Sequence, residues 1–224
     1  MMSNLFSIFD PSTNLYLSLN WMSLMFFMLF LPKIFWVTPS MYLMMWNNIN
    51  NFIFSEMKIP LNKILNFYNM LIFKTLFIFI FLSNFISLFP YIFNNTSHIS
   101  FSLMMSLTLW FSFMLFGWIK NSFHMYVHLT PQGTPYPLMP FMVMIESVSN
   151  LIRPMTLSIR LSANIIAGHL LMTLISKSMT NLNFIMIIIM IFIQSILVTL
   201  EVAVSLIQSY VFTILSSLYS SETN

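Results

Sequence analysis

The sequence predicts an all-α integral membrane protein. Of its 224 residues, 58% are hydrophobic and only 6% are charged, and the mean hydropathy is +0.87. A soluble domain carries about 25% charged residues, so this chain lacks the polar side chains that would cover a water-exposed surface. Apolar runs also recur at or above the length of about 20 residues that one helical crossing requires. We therefore expect one membrane domain with about five membrane helices and one interfacial amphipathic segment.

Charge and cysteine content exclude several classes of protein. The chain has 8 basic and 5 acidic residues and no basic run, which is too sparse for a nucleic-acid interface. It contains no cysteine, which excludes disulfides and thiolate metal sites. The first basic residue is Lys33, so neither a basic signal-peptide start nor an arginine-rich transit peptide is predicted. The bias to 22 Met and 25 Phe is typical of an AT-rich organellar genome.

Three apolar segments in the first half predict membrane helices. They cover residues 15–36, 70–93 and 100–119, and the polar tip at 94–98 makes the last two a transmembrane hairpin. Residues 41–68 mix aromatic side chains with asparagines and charges, which favours an amphipathic helix in the interface over a span. His98 in the tip is expected to be solvated.

The lysines predict the orientation of these segments. If the spans alternate, the five lysines up to residue 120 fall on the side opposite the tip: Lys33, Lys58, Lys63, Lys74 and Lys120. By the positive-inside rule, the lysine side faces the matrix or cytoplasm. The amino terminus then faces the opposite compartment, which is the intermembrane space in a mitochondrion.

Residues 120–140 predict a proline-rich loop. The loop holds four prolines and Gly133, which interrupt regular backbone hydrogen bonding. His124 and His128 are four residues apart, a spacing that suits a metal on a helix, but no third ligand is near. We expect no metal site here.

Two long helices follow, over residues 141–176 and 184–219. Each is about 54 Å long at about 1.5 Å per residue, whereas the hydrocarbon core is about 30 Å thick. Ordinary tilts of about 20° do not absorb that excess. We therefore expect a steeply inclined antiparallel hairpin, with a bend at Pro154.

Polar stripes run along both helices of this hairpin. Residues spaced seven apart lie on nearly one face of a helix. One helix carries Glu146, Arg153 and Arg160 at this spacing, with Asn150 and Asn164 close to the same face. The other helix carries Gln194, Glu201 and Gln208, with Ser205 on that face. A charge inside the bilayer costs about 2.5–3.5 kcal/mol, which favours an ion pathway over packing. A structural Glu–Arg lock between the helices remains the alternative.

The ionisable residues differ in what they can do in such a pathway. Arginine stays protonated at working pH, so it serves as a fixed counter-charge. His169 and the glutamates can titrate and suit a proton path. His169 is nine residues from Arg160, which places it on the opposite side of the helix. Small residues around Arg160 allow another helix to approach its backbone closely.

Several motifs resemble one family across essentially the whole chain. They are "IESVSNLIRPMTLSIRLSANIIAGHLL", "LEVAVSLIQSYVFTILSSLY", "LTPQGTPYPLMP", "NFISLFPY" at 84–91 and "FDPS" at 9–12. They closely resemble subunit a of mitochondrial F-type ATP synthase, in an insect-like version. The resemblance implies a multi-pass stator subunit of the inner membrane, whose two offset half-channels load and unload protons on c-ring carboxylates. Proton flow is thereby coupled to rotation and ATP synthesis. Its implied partners are the c-subunit ring, the peripheral stalk and other membrane subunits.

The resemblance also implies roles for individual residues. Arg160 matches the family's essential arginine, His169 and Glu201 match the inlet pair, and Glu146 matches the outlet carboxylate. Asn164 and Gln208 are polar neighbours, whereas Arg153, Ser205 and Gln194 are further polar lining residues. Arg153 departs from the family pattern, which often has an uncharged polar residue there. No cofactor and no active site of its own are expected, because nucleotide chemistry would reside in partner subunits.

Other interpretations remain open at this point. A secondary transporter would need a substrate pocket at broken helices in internally repeated halves, and no repeat is visible. A purely structural subunit would not need Arg160 and Glu201 in the membrane. The register of the hairpin also has two solutions. The family's register places His169 beside Glu201 and Arg160 beside Gln208, whereas a symmetric hairpin places Arg160 level with Glu201.

Overall fold

The described part of the chain is entirely helical. The computed structural model describes residues 5–13, 18–33, 36–61, 67–89, 91–130, 133, 135–181 and 183–223. These residues form α1 (Phe27–Phe30), α2 (Met41–Lys58), α3 (Phe67–Ser87), α4 (Ile99–Lys120), α5 (Ser122–Leu129), α6 (Met139–Ser178) and α7 (Phe184–Thr223). Short 3-10 helices lie at Leu5–Phe9, Leu19–Phe26, Asn95–Ser97, Tyr136–Leu138 and Met179–Asn181. No strand occurs among these residues, which confirms the all-α prediction.

Four of the helices are long and apolar enough to cross a membrane. They cover Asn69–Ser87, Ile99–Lys120, Tyr136–Ser178 and Phe184–Thr223. A shorter apolar helical segment, Leu19–Phe30, lies inside the first predicted span, of which residues 15–17 and 34–35 fall outside the described ranges. Helix length and composition together support an integral membrane protein.

Local sequence sets the helix boundaries around the predicted segments. Within 41–68, α2 starts at its N-cap Ser40, whose hydroxyl accepts from the Leu43 amide, and it ends at Lys58. Residues 62–66 of that segment lie outside the described ranges. Within 120–140, the residues before the first proline form α5. Residues 131, 132 and 134 lie outside the described ranges, and the segment is helical again at Tyr136–Leu138 and from Met139.

The last two helices are each 40 residues long. At about 1.5 Å per residue each is about 60 Å long, which is twice the thickness of the hydrocarbon core. α6 continues through Pro154, although proline has no amide hydrogen to donate. Arg153 contacts Glu222 and Gly168 contacts Glu201, so the two helices run antiparallel.

α7 packs on α3, α4 and α6. Its buried face is a stripe of small hydroxyl side chains, named here the hydroxyl stripe: Ser205, Ser209, Thr213, Ser216, Ser217 and Ser220. Each hydroxyl donates to a backbone carbonyl one turn earlier, which satisfies the hydroxyl donor within α7. Small residues let neighbouring backbones approach closely, which is how helices associate in lipid.

Large apolar side chains lie mostly on the outside. On α7, for example, Phe184 and Ile185 are 77% and 73% exposed. Apolar residues that are buried instead join helices to one another, as where Phe212 of α7 packs with Ile80 of α3 and Leu157 and Leu161 of α6. Small polar residues inside and large apolar residues outside are the arrangement expected of a protein surrounded by hydrocarbon.

The polar tip between α3 and α4 is buried, and His98, which was predicted to be solvated, is half-buried. Asn94 and Asn95 are 2% and 6% exposed, and Asn95 Nδ2 donates to Ser23 Oγ over 2.7 Å. The His98 ring lies 5.3 Å from that of Trp21, centroid to centroid, and its Nε2 is buried. The tip is buried because α6 and the segment Leu19–Phe26 both pack on it, and local sequence reveals neither neighbour.

The amino-terminal segment ends in a side-chain turn at Asp10. Its carboxylate accepts from the Ser12 backbone amide over 3.0 Å and from the Ser12 hydroxyl over 2.7 Å. These hydrogen bonds favour the ionised carboxylate and lower the pKa of Asp10 below its ordinary value. Asp10 also accepts, through its backbone oxygen, from Asn20 Nδ2 over 3.2 Å, which joins this turn to the following helical segment.

Candidate functional site

One cavity with several polar residues in a mainly apolar lining lies where α3, α6 and α7 meet. It has a volume of about 310 Å³ and is named here the inner cavity. Its polar lining residues are Asn84 of α3, Asn164 and His169 of α6, and Glu201, Ser205 and Gln208 of α7. Four of these six, Asn164, Glu201, Ser205 and Gln208, belong to the two predicted stripes, and His169 was predicted separately as a titrating residue.

Glu201 is the buried acid of this cavity. The residue is 8% exposed, and neither carboxylate oxygen has a hydrogen-bond partner among the described residues. Nε2 of His169 is also buried without a partner within the described part of the chain. Buried polar groups in proteins are normally hydrogen-bonded to protein or to water. A cavity of this volume that contains these unpaired polar groups has room for several water molecules, each of which takes about 30 Å³ in the liquid.

Asn84 is a lining residue that the sequence analysis missed. It is 1% exposed, and its amide nitrogen and oxygen both lack partners in the described ranges. The available signal was its position, since it is an isolated amide in the apolar run "FIFIFLSNFISLF". An unpaired amide at membrane depth is unfavourable unless it meets a polar cavity.

Gly168 sets the position of the Glu201 side chain. A Cβ added at Gly168 would lie 2.5 Å from Glu201 Oε1 and 2.9 Å from its Cδ, so the carboxylate could not stay where it is. We expect the Gly168→Ala protein to assemble but to lose most of any activity that requires Glu201 in the inner cavity. Gly117→Ala is the matched control, because the atom it would meet, at 3.0 Å, is the sulfur of the flexible Met125. Equal activity of the two variants, measured at equal protein content, would contradict this role of Gly168.

A second polar site, named here the ion triad, lies at the other end of the hairpin. Arg153 contacts Glu146 Oε1 through Nη2 at 3.6 Å and Glu222 Oε2 through Nη1 at 3.2 Å. Its guanidinium carbon lies 5.7 Å from the centroid of the Tyr219 ring, which faces the cation. A small cavity of about 60 Å³ adjoins the triad and includes Asn150 in its lining.

Glu222 is the second residue that the sequence analysis missed. The predicted helix ended at residue 219, whereas α7 continues to Thr223. The sequence did contain a signal for it. Glu222 lies two seven-residue steps after Gln208, in the same series as Glu201, and the position between them is apolar.

Arg160 lies between the two sites. It is exposed on the outer face of α6, seven residues from Arg153 and nine from His169. Those separations correspond to about 10 Å and about 13 Å along the helix. The side chains around it on this face are small, namely Thr156, Ala163, Asn164 and Ala167. A helix of another subunit can therefore approach the guanidinium closely.

The structure decides the register of the hairpin. Glu201 lies against Gly168 and lines the inner cavity together with His169. The symmetric register, with Arg160 level with Glu201, is therefore wrong. Gln208 lines the inner cavity, whereas Arg160 lies outside its lining on the exposed face. Gln194 is half-buried on α7 and is absent from the lining of either cavity.

Comparison with known proteins adds the family. The sequence profile of the family described as "ATP synthase A chain" matches residues 4–221. The chain belongs to this ATP synthase A-chain family. "ATP synthase subunit a" of Drosophila melanogaster is 50% identical over 224 residues and covers 100% of both chains. The proteins of the same name from Locusta migratoria and Anopheles quadrimaculatus are each 51% identical, over 99% and 100% of both chains.

Membership of the ATP synthase A-chain family fits the observed helices. The family supplies the membrane proton-channel subunit of the synthase and works together with its other subunits. Proton transport is the family's role, and the four long apolar helices suit it.

Proposed function

We propose that this chain is the stator proton-channel subunit of a rotary ATP synthase and provides two offset half-channels to a ring of c subunits. The observation that carries the proposal is the placement of two polar sites at different levels of α6, with Arg160 between them. Protons from one compartment would reach a ring carboxylate through the inner cavity. After rotation of the ring they would leave past the ion triad.

The inner cavity is the proposed inlet. Glu201 and His169 accept and pass protons, while Asn84, Asn164 and Gln208 hold water between them. Asn84 lies near the carboxyl end of α3, next to the tip at 94–98, which is the end predicted to face the intermembrane space. Asn164 also belongs to the exposed face that carries Arg160, and it provides the exit of the cavity toward the ring.

Arg160 is proposed as the barrier between the half-channels. It remains protonated, so it holds a passing ring carboxylate ionised and blocks protons from crossing directly. Its exposed position on a face of small side chains supports contact with a partner helix rather than a structural lock within this chain. The charged contacts of Glu146 are made with Arg153 instead.

The ion triad is the proposed outlet. Its cavity includes residues of α4 and α5 next to Lys120, on the side that the lysines predict to face the matrix. Glu146 would take the proton released by the ring. The amino terminus would face the intermembrane space, and the protein would reside in the mitochondrial inner membrane.

Several structural expectations belong to the same proposal. Because α6 and α7 are about twice as long as the bilayer is thick, we propose that they lie steeply inclined and follow the curved side of the ring. The chain acts as a single membrane domain without a cofactor, a metal or an active site of its own. The peripheral stalk holds it against rotation.

Access from opposite sides of the membrane tests the proposal. The natural sequence has no cysteine, so a single introduced thiol reports its own surroundings. We expect Ser205→Cys, in the inner cavity, to react with Ag⁺ or a small impermeant thiol reagent added on the intermembrane-space side. Asn150→Cys, beside the triad, should react only from the matrix side. Measured in sealed vesicles of both orientations, reaction of both thiols from one side would overturn the two-channel arrangement.

A further inference from the structure

We propose that the buried tip at 94–98 is the entrance of the inlet: its unpaired side chains line a passage for water from the intermembrane-space surface to Asn84 and the inner cavity. The segment Leu19–Phe26, named here the cover segment, lies over the outer end of this passage and is held there by Ser23. The inference rests on the proposed function above, in which the inlet begins at Asn84.

Buried polar atoms without a partner are concentrated along this route. In the tip they are Asn94 Nδ2, Asn95 Oδ1 and His98 Nε2, none of which has a hydrogen-bond partner among the described residues. Within the described ranges, every other such side-chain atom except Asn50 Oδ1 belongs to a residue that lines the inner cavity. A buried water typically makes about three hydrogen bonds to polar groups that the protein leaves unpaired. The tip and the cavity therefore both provide sites for water.

The tip and the inner cavity share two walls. The 3-10 helix Asn95–Ser97 packs on α3 and α6, the helices that form the inner cavity together with α7. On α3, Asn84 lies about 5 Å along the axis from Ser87, where the helix ends. The cavity lining thus comes within one turn of the end of α3 that is joined to the tip.

Local hydrogen bonds hold Asn94 so that its amide nitrogen remains unpaired. The Thr96 hydroxyl donates to Asn94 Oδ1 over 2.9 Å, and the Ser97 hydroxyl donates to the Asn94 backbone oxygen over 2.7 Å. Asn94 is only 2% exposed, so an unpaired donor here is unfavourable unless water reaches it. Asn94 is therefore the residue of the tip that commits most clearly to a water molecule.

Ser23 joins the cover segment to the tip at two points. Its hydroxyl donates to the Phe93 backbone oxygen over 3.1 Å and accepts from Asn95 Nδ2 over 2.7 Å. The Trp21 ring lies 5.8 Å from the Phe93 ring and 5.3 Å from the His98 ring, centroid to centroid. The cover segment is a 3-10 helix, whose internal hydrogen bonds have poorer geometry than those of an α-helix. Loss of the Ser23 hydroxyl should therefore loosen the cover and widen the entrance.

The labelling rate of a thiol in the inner cavity tests the entrance. The reporter is Ser205→Cys in the assembled synthase, held in sealed vesicles and treated with Ag⁺ on the intermembrane-space side only. We expect added Asn94→Leu to slow labelling at least about tenfold, because an apolar side chain of similar size removes a polar partner from the passage water. Asn94→Ser, which keeps a polar group at the same position, should slow labelling far less.

Ser23→Ala should change the labelling rate in the opposite direction. We expect a rise of about threefold, which is the order of change that one neutral hydrogen bond provides. Ser18→Ala is the matched control, because it removes a hydroxyl from the N-cap of the same segment, where no side-chain capping bond is made. A rise in both serine variants would show a general loosening of the segment and would overturn the role of Ser23.

The same reporter separates this inference from the proposed function. If Ser205→Cys does not react from the intermembrane-space side, the inlet itself is refuted, and its entrance with it. If Ser205→Cys reacts at the same rate with and without Asn94→Leu and Ser23→Ala, the inlet stands and the entrance at the tip is refuted. If Asn94→Leu fails to assemble, Ser23→Ala decides alone, and an unchanged rate overturns the inference. Asn84→Cys replaces the reporter if Ser205→Cys fails to assemble.

Discussion

Replacing Arg160 by lysine is expected to abolish proton-driven ATP synthesis while the complex still assembles. Both residues are cationic, so a requirement for positive charge alone would be met. Lysine, however, is a compact, strongly hydrated ammonium that loses its proton readily when desolvated, whereas arginine stays charged and offers a planar fork of donors. Loss of one charge-assisted hydrogen bond is worth about 1.5–3 kcal/mol, which corresponds to a roughly ten- to hundredfold change in rate.

The same substitution should also open a leak. A deprotonated lysine no longer separates the two half-channels, so protons could pass through without turning the ring. The measurements are ATP synthesis and passive proton flux in vesicles with equal amounts of assembled complex. Thr156→Ala, one helical turn away on the same exposed face, is the matched control. Near-normal coupled synthesis in Arg160→Lys would return this arginine to a structural role.

Glu201→Gln is expected to have the second large effect. Glutamine keeps the size and hydrogen-bonding capacity of the side chain in its buried position but cannot take up and release a proton. A proton path through the inner cavity would lose its titrating carboxylate, and we expect at least about a hundredfold loss of proton-driven synthesis, the scale at which positioned acids and bases act.

Aspartate at the same position provides the comparison. Glu201→Asp keeps a titrating carboxylate, displaced by one methylene, beside His169. It should therefore retain clearly more activity than Glu201→Gln at equal assembly. If aspartate and glutamine are equally inactive, the position of the carboxylate outweighs its titration. If glutamine is as active as the natural residue, the inlet does not pass through Glu201.

Spacing within one helix was sufficient to predict part of the candidate site. Asn164, Glu201, Ser205 and Gln208 were found from repeats of four and seven residues, because helical periodicity places such residues on one face. The structure places all four on the inner cavity together with His169. The fold class was equally predictable, since composition alone excludes a water-exposed surface.

Contacts between distant segments were not predictable in this way. Asn84 reaches the inner cavity only because α3 packs on α7, and no pattern within α3 specifies that neighbour. The polar tip at 94–98 has the composition of a solvated turn, yet Ser23 and Trp21 cover it from a segment about 70 residues earlier. Glu222 was missed for a simpler reason, because the end of a helix without a cap signal is hard to place.

The hydroxyl stripe of α7 has a consequence for how this sequence can vary over time. Methionine, phenylalanine, isoleucine and leucine are all stable in contact with hydrocarbon. The lipid-facing positions can therefore exchange these residues freely as the base composition of the gene changes. The positions of the hydroxyl stripe have no such freedom, since a larger side chain there would push α3, α4 or α6 away. Mutational bias should therefore accumulate on the lipid-facing half of α7, while serine, threonine, alanine and glycine remain the only residues accepted in the hydroxyl stripe.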